Sequence, residues 1–152
     1  MSIELVNYIK KNKIKLKDMD IGVIRLNKSG AAAIKLQDLG NGESYIAVLD
    51  KNTNRFKTMV VSNETFWYAI VMVSCSITYD NSQEVIDFCD LPIGEVFDIN
   101  GSAFIKVEKN MAFCLMADED NENYNDNILY KMKDFQYIRP CHLLIEIGSN
   151  IK

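Results

Sequence analysis

The chain has 152 residues, 48% of them hydrophobic and 25% charged, with a formal net charge of -4 and an isoelectric point near 5.0. This is an ordinary globular composition, large enough for a real core without metals or disulfides. The acidic balance argues against a protein whose main affinity comes from neutralising nucleic-acid phosphates.

At the start of the chain, Ser2 can cap a short helix through about Lys11, with Ile3, Val6 and Ile9 on one stripe and Glu4 near the positive end of the dipole. Residues Met1 to Lys17 lack the apolar stretch of a secretory signal, and the longest apolar run, Phe66 to Cys75, is ten residues. A spanning helix needs roughly 20. The expectation is a soluble protein that stays in the cytoplasm where it is made, with Cys75, Cys89, Cys114 and Cys141 as reduced, buried thiols. Lys10, Lys11, Lys13, Lys15 and Lys17 surround Ile14 and Leu16. They read either as a local basic patch or, more simply, as a solvated edge made unattractive to other strands.

From Leu16 the chain repeats itself. LKDMDIGVIRLNKSGAAAIKL, ending at Leu36, returns as FCDLPIGEVFDINGSAFIKV from Phe88 to Val107. Asp18, Ile21, Gly22, Gly30, Ala32, Ile34 and Lys35 align with Asp90, Ile93, Gly94, Gly101, Ala103, Ile105 and Lys106, with one residue fewer in the second turn. The offset leaves room for two copies and no third, a duplicated module and not a solenoid. Lead-in and helix occupy 1–15, the first module 16–81 and the second 82–152, with the turn-rich boundary near Asp80 to Glu84.

Within each copy the pattern is of strands. Val23 to Leu26 and Ala31 to Leu36 flank a loop over Asn27 to Gly30, and Glu95 to Ile99 and Ala103 to Val107 flank Asn100-Gly101, a strong two-residue hairpin signal. The Ile-Gly pair before each hairpin reads as a turn where glycine permits a conformation or close approach that a side chain forbids. Further strands follow at Ser44 to Leu49, Arg55 to Val61 and Thr65 to Thr78, then at Ala112 to Met116, Phe135 to Ile138 and Cys141 to Ile147. Thr65 to Thr78 is apolar on both faces, so a buried helix over Glu64 to Ser74 stays open as the alternative. About five short strands per half make a mainly β protein: two related small SH3-like or roll barrels packed together behind a short N-terminal helix.

The second copy, LPIGEVFDINGSAFIKVEKNMAFCL followed by FQYIRPCHLLIEI, resembles a short module of uncharacterised bacteriophage and prophage proteins. The matching features are Ile93-Gly94, Val96-Phe97, Asn100-Gly101, Phe104-Ile105-Lys106, Ala112, Leu115 and Arg139-Pro140. The first copy keeps Ile21-Gly22 and Ile34-Lys35 but lacks the aromatic positions and the proline. The resemblance implies a mobile-element origin and no assigned chemistry.

Candidate sites are few. His142 is the only histidine and adjoins Cys141, but neighbours on a strand point to opposite faces, so the pair forms no dyad. The cysteines lack the close pairing of a zinc site. No phosphate-binding glycine motif or hydrolase signature occurs, and no catalytic residue, metal or cofactor is expected. Asp118, Glu119, Asp120, Glu122 and Asp126 lie in one loop, ADEDNENYNDN, which lacks the glycine and final glutamate of a calcium loop. An acidic projection of this kind, with Tyr124 as a rigid contact, can occupy a positively charged groove that normally receives nucleic acid. Lys35 and Lys106 stand at matched positions, either as solvent-facing residues inherited with the fold or as paired cations for a nucleotide-like anion in a cleft between copies.

The reading that follows is a non-enzymatic phage or prophage accessory protein acting by binding. Its partner is then a host protein, such as a nucleic-acid-binding defence effector that it inhibits in the manner of an anti-CRISPR, in the host cytoplasm and away from membranes. Small-molecule sequestration through Lys35 and Lys106, and a structural virion component that assembles into oligomers, are the alternatives.

Overall fold

The computed structural model describes residues 12–78, 84–120 and 122–151. The expected helix over Ser2 to Lys11 and most of the expected boundary turn lie outside the described residues. Among those residues, no helix is long and apolar enough to cross a membrane.

The chain is mainly β. In order it forms β1 (Lys13–Lys15), a 3-10 turn (Leu16–Asp18), β2 (Ile24–Asn27), β3 (Ala32–Asp38), β4 (Glu43–Asp50), β5 (Arg55–Ser62) and β6 (Phe66–Thr78). It then repeats this with β7 (Ile86–Asp87), a second 3-10 turn (Phe88–Asp90), β8 (Val96–Ile99), β9 (Ser102–Glu108), β10 (Met111–Met116), β11 (Leu129–Lys131) and β12 (Tyr137–Ile151). Thr65 to Thr78 is therefore a strand. Its β-branched and aromatic residues favour a pleated strand over a helix.

In each half four strands form a meander and a long fifth strand returns to the first of them, with every pairing antiparallel. Trp67 of β6 stands opposite both Ile14 of β1 and Asn27 of β2, so β1 and β2 flank opposite edges of β6. β12 continues along the β1 edge, pairing from His142↔Thr78 to Ile151↔Ile70. The halves are thus joined in one hydrogen-bonded path, β11-β10-β9-β8-β12-β6-β2-β3-β4-β5, with β5 and β11 at its ends. Closed barrels are not formed among the described residues; the path is open.

β12 runs through Pro140, where the sequence pattern breaks into two strands. Pro140 faces Phe97 of β8, and on its other edge β12 pairs with β7 only as far as Ile138↔Ile86 and with β6 only from His142↔Thr78 onward. The proline falls in that gap, where its missing N–H costs no ladder bond.

Alternation along these strands fills three clusters. Ile24, Leu26, Ile34, Leu36 and Phe56 of the first half meet Val96, Ile105, Val107, Phe113 and Cys141 of the second in a shared core. The opposite faces hold private clusters: Leu16, Met19, Ala33, Ile46 and Trp67 in the first half, and Phe88, Phe97, Phe104, Cys114 and Ile138 among others in the second. Each private cluster is lidded by its own 3-10 turn, whose Leu16 or Phe88 side chain is fully buried.

The Ile-Gly turns have the close approach their sequence implied. Gly22 (φ +86°) lies against the side chain of Asn127, and Gly94 (φ +96°) against the backbone of Phe56. Phe56 N–H donates to Gly94 O at 3.0 Å, so each glycine is a contact point with the other half. Asn54 and Asn127, both left-handed, precede β5 and β11. The hairpin turns also match: Asn100-Gly101 is left-handed at both residues, the primed turn that suits strand twist.

Candidate protein-binding surface

The halves differ most in one connection. Between β4 and β5 the first half spends four residues, 51–54; between β10 and β11 the second spends twelve, 117–128, which contain the acidic run. A long loop on a scaffold whose other copy closes with a short turn is a local elaboration, and such loops carry function more often than the strands they join.

The loop is tied down at several points. Ala117 N–H donates to Asp126 Oδ1 at 2.6 Å, Asp118 N–H to Ser102 Oγ at 2.9 Å, Asp120 N–H to Asp118 Oδ1 at 3.1 Å, and Asn125 N–H to the Tyr130 hydroxyl at 2.7 Å. Tyr124 is turned inward and is not the projecting contact the sequence implied. Its ring packs edge-on against Phe104 at 4.9 Å and Tyr130 at 5.2 Å, and burial raises its phenol pKa above the ordinary value. Asp118, Asp126 and Tyr124 therefore hold the loop's shape. Glu119, Asp120 and Glu122 are left exposed on its outside, with Glu119 and Glu122 lining a shallow hollow of about 460 Å³.

Lys35 and Lys106 occupy equivalent places, but not as free cations and not facing solvent. They are 3% and 2% exposed. Lys35 Nζ donates to the carbonyls of Leu16 and Met19 at 2.9 and 3.2 Å; Lys106 Nζ donates to those of Phe88 and Leu91 at 2.8 and 2.7 Å. Each ammonium thereby ties its 3-10 turn to the sheet. Lys106 also lies 4.3 Å from the Phe88 ring centroid, and desolvation lowers its pKa. The available signal was that both copies keep a lysine between apolar residues while other positions on that face drift.

A third buried cation has no counterpart. Arg25 takes the place of Phe97, donates from Nη1 to Ala69 O at 3.1 Å, and leaves its buried Nε without a partner. Desolvation lowers its pKa.

The thiols divide by position. Cys114 and Cys141 are buried, and burial pushes their pKa values up to about 11 and about 12, whereas Cys89 is exposed, contrary to its expected burial. Cys141 faces the shared core while His142 is exposed on the other side of β12, as strand alternation requires. Asp87, Cys89 and Asp90 bring three possible metal-ligand atoms within 4.8 Å of one another, with nothing further around them that points to an ion. No protein-family profile, curated protein or solved structure gives a significant match to this chain.

Proposed function

We propose that this is a non-enzymatic accessory protein of phage or prophage origin that works by binding. Its acidic loop enters a positively charged groove of a host protein, one that otherwise receives nucleic acid, and so inhibits a defence effector in the host cytoplasm. The observation that carries the reading is the twelve-residue loop itself, elaborated in one copy only and knitted to the sheet so that Glu119, Asp120 and Glu122 are presented outward. Preorganisation lowers the ordering cost of binding, and a block of like charge steers a cationic partner. The likeness of the second copy to phage modules supports the origin. In this reading each copy is an SH3-like roll around its private cluster.

The test is affinity capture from a bacterial lysate by the tagged protein and by its E119K/D120K/E122K variant, read by mass spectrometry. All three side chains are exposed, and far-UV circular dichroism verifies that the variant is folded. A stoichiometric protein retained by the wild type and lost with the variant is expected. The same proteins on both columns would rule the loop out.

A further inference from the structure

A groove recurs at the start of each half. In the first it is lined by Lys13, Lys28 and Phe66 among others and has a volume of about 300 Å³. In the second, Val85, Asn100 and Tyr137 take the same three places in a groove of about 600 Å³. Both rims carry an exposed aromatic ring at the head of a long strand: Phe66 is 46% exposed and Tyr137 72%, and Phe135 beside Tyr137 is 78% exposed.

What the repeat does not keep is the sign of the charge. Lys15 faces Phe66 across the β1–β6 ladder, with its Nζ 5.6 Å from the ring centroid. At the same place in the other half Asp87 faces Tyr137 across the β7–β12 ladder. The first rim carries Lys13, Lys15, Lys17 and Lys28 against Asp18, the counterpart of Asp90, and Glu64, which bridges Lys15 at 2.8 Å and Lys17 at 3.7 Å. The second carries Asp87, Asp90, Asp98 and Asp134, with Arg139 the cation of its lining. One scaffold therefore presents two aromatic-rimmed grooves at equivalent places, one with an excess of lysines and the other with an excess of aspartates.

From this complementarity we infer that the chain associates with itself head to tail, the basic Phe66 face of one copy docking on the acidic Phe135–Tyr137 face of the next. A contact between two different patches is heterologous and leaves one face of each kind free at the ends, so it propagates into rings or short filaments and not a closed twofold dimer. Exposed aromatic rings supply the apolar contact, and the opposed charges set the pairing and make it salt-dependent. The residues involved are not those of the acidic loop, which adjoins this face where Asp118 lies against Gly101, and the variants below leave the loop's carboxylates in place, so the two readings are tested apart.

The test uses two surface variants of the full chain, K13E/K28E for the basic face and D134K/F135S for the acidic one, all at exposed positions, with folding verified by circular dichroism. Sedimentation velocity at low salt should show concentration-dependent association of the wild type that recedes as salt is added. Each variant alone should associate at least about tenfold more weakly. Mixed together, the two variants should form a one-to-one dimer and nothing larger, because each retains the face the other has lost. A monomeric wild type at all concentrations, variants that associate like the wild type, or a mixture that stays monomeric would overturn the inference.

Discussion

Removing the Lys106 ammonium while keeping its bulk isolates the role assigned to the buried lysines. Lys106→Met deletes two charge-assisted hydrogen bonds, to Phe88 O and Leu91 O, each worth about 1.5–3 kcal/mol. Phe88 O keeps the N–H of Leu91 at 3.1 Å, so the main loss is at Leu91 O, the carbonyl left without that donor. Against this stands the gain from no longer burying a charge, whose desolvation is visible in the lowered lysine pKa. The balance is a destabilisation of about 2–4 kcal/mol, or roughly 5–15 °C in Tm for a chain of this length. Urea denaturation followed by tryptophan fluorescence and far-UV circular dichroism measures it. Lys35→Met, which removes the matching pair of bonds, should cost a similar amount. A Lys106→Met variant as stable as wild type would refute the argument, because the lysine would then be a tolerated buried charge and not the tie between turn and sheet.

Gly94→Ala should destabilise by more than about 2 kcal/mol, since the new Cβ meets the Phe56 carbonyl at a left-handed backbone position, whereas Gly30→Ala, also left-handed but facing open space, should cost only about 1 kcal/mol; thermal melts of the pair separate contact from conformation. Arg25→Met should leave stability within about 1 kcal/mol of wild type or raise it, because the guanidinium is buried with Nε unpartnered where the second half packs a phenylalanine ring; a large loss in chemical denaturation would show that Arg25 is fully compensated. Stability should fall as pH rises above 9.0, because Cys141 keeps its proton in the folded state to about 12 while the unfolded thiol ionises near 9.0. That contribution is intact below pH 9.0, is lost at up to about 1.4 kcal/mol per pH unit between the two values, and should vanish from the alkaline slope of a Cys141→Val variant.

The repeat was the most legible feature of the sequence because it preserved residues whose geometry has no substitute: the two glycines at contact points, Gly22 and Gly94, and the left-handed hairpin glycines, Gly30 and Gly101. Alternation also placed Lys35 correctly, on the face opposite Ile34. It could not show that this second face is covered as well, because the cover is a 3-10 turn from 16 residues or more upstream, and the period of a strand carries no information about what packs on it. Pro140 broke the reading of β12 for a related reason, as the gap between β7 and β6 exists only once the strands are assembled. In the acidic loop, composition identified the exposed carboxylates but could not separate them from Asp118, Asp126 and Tyr124, whose partners Ser102, Ala117 and Phe104 are fixed by tertiary packing. Cys89 was expected inside on composition alone and sits instead in an exposed turn.

The binding account meets its most direct test in a competition on the capture column. Lysate protein retained by the wild-type chain is challenged with duplex DNA and with single-stranded RNA, beside a column carrying E119K/D120K/E122K. The account predicts a protein held by the wild type alone and released by nucleic acid, because loop and nucleic acid occupy the same cationic groove. Retention that is equal on both columns, or that neither nucleic acid displaces, would contradict it.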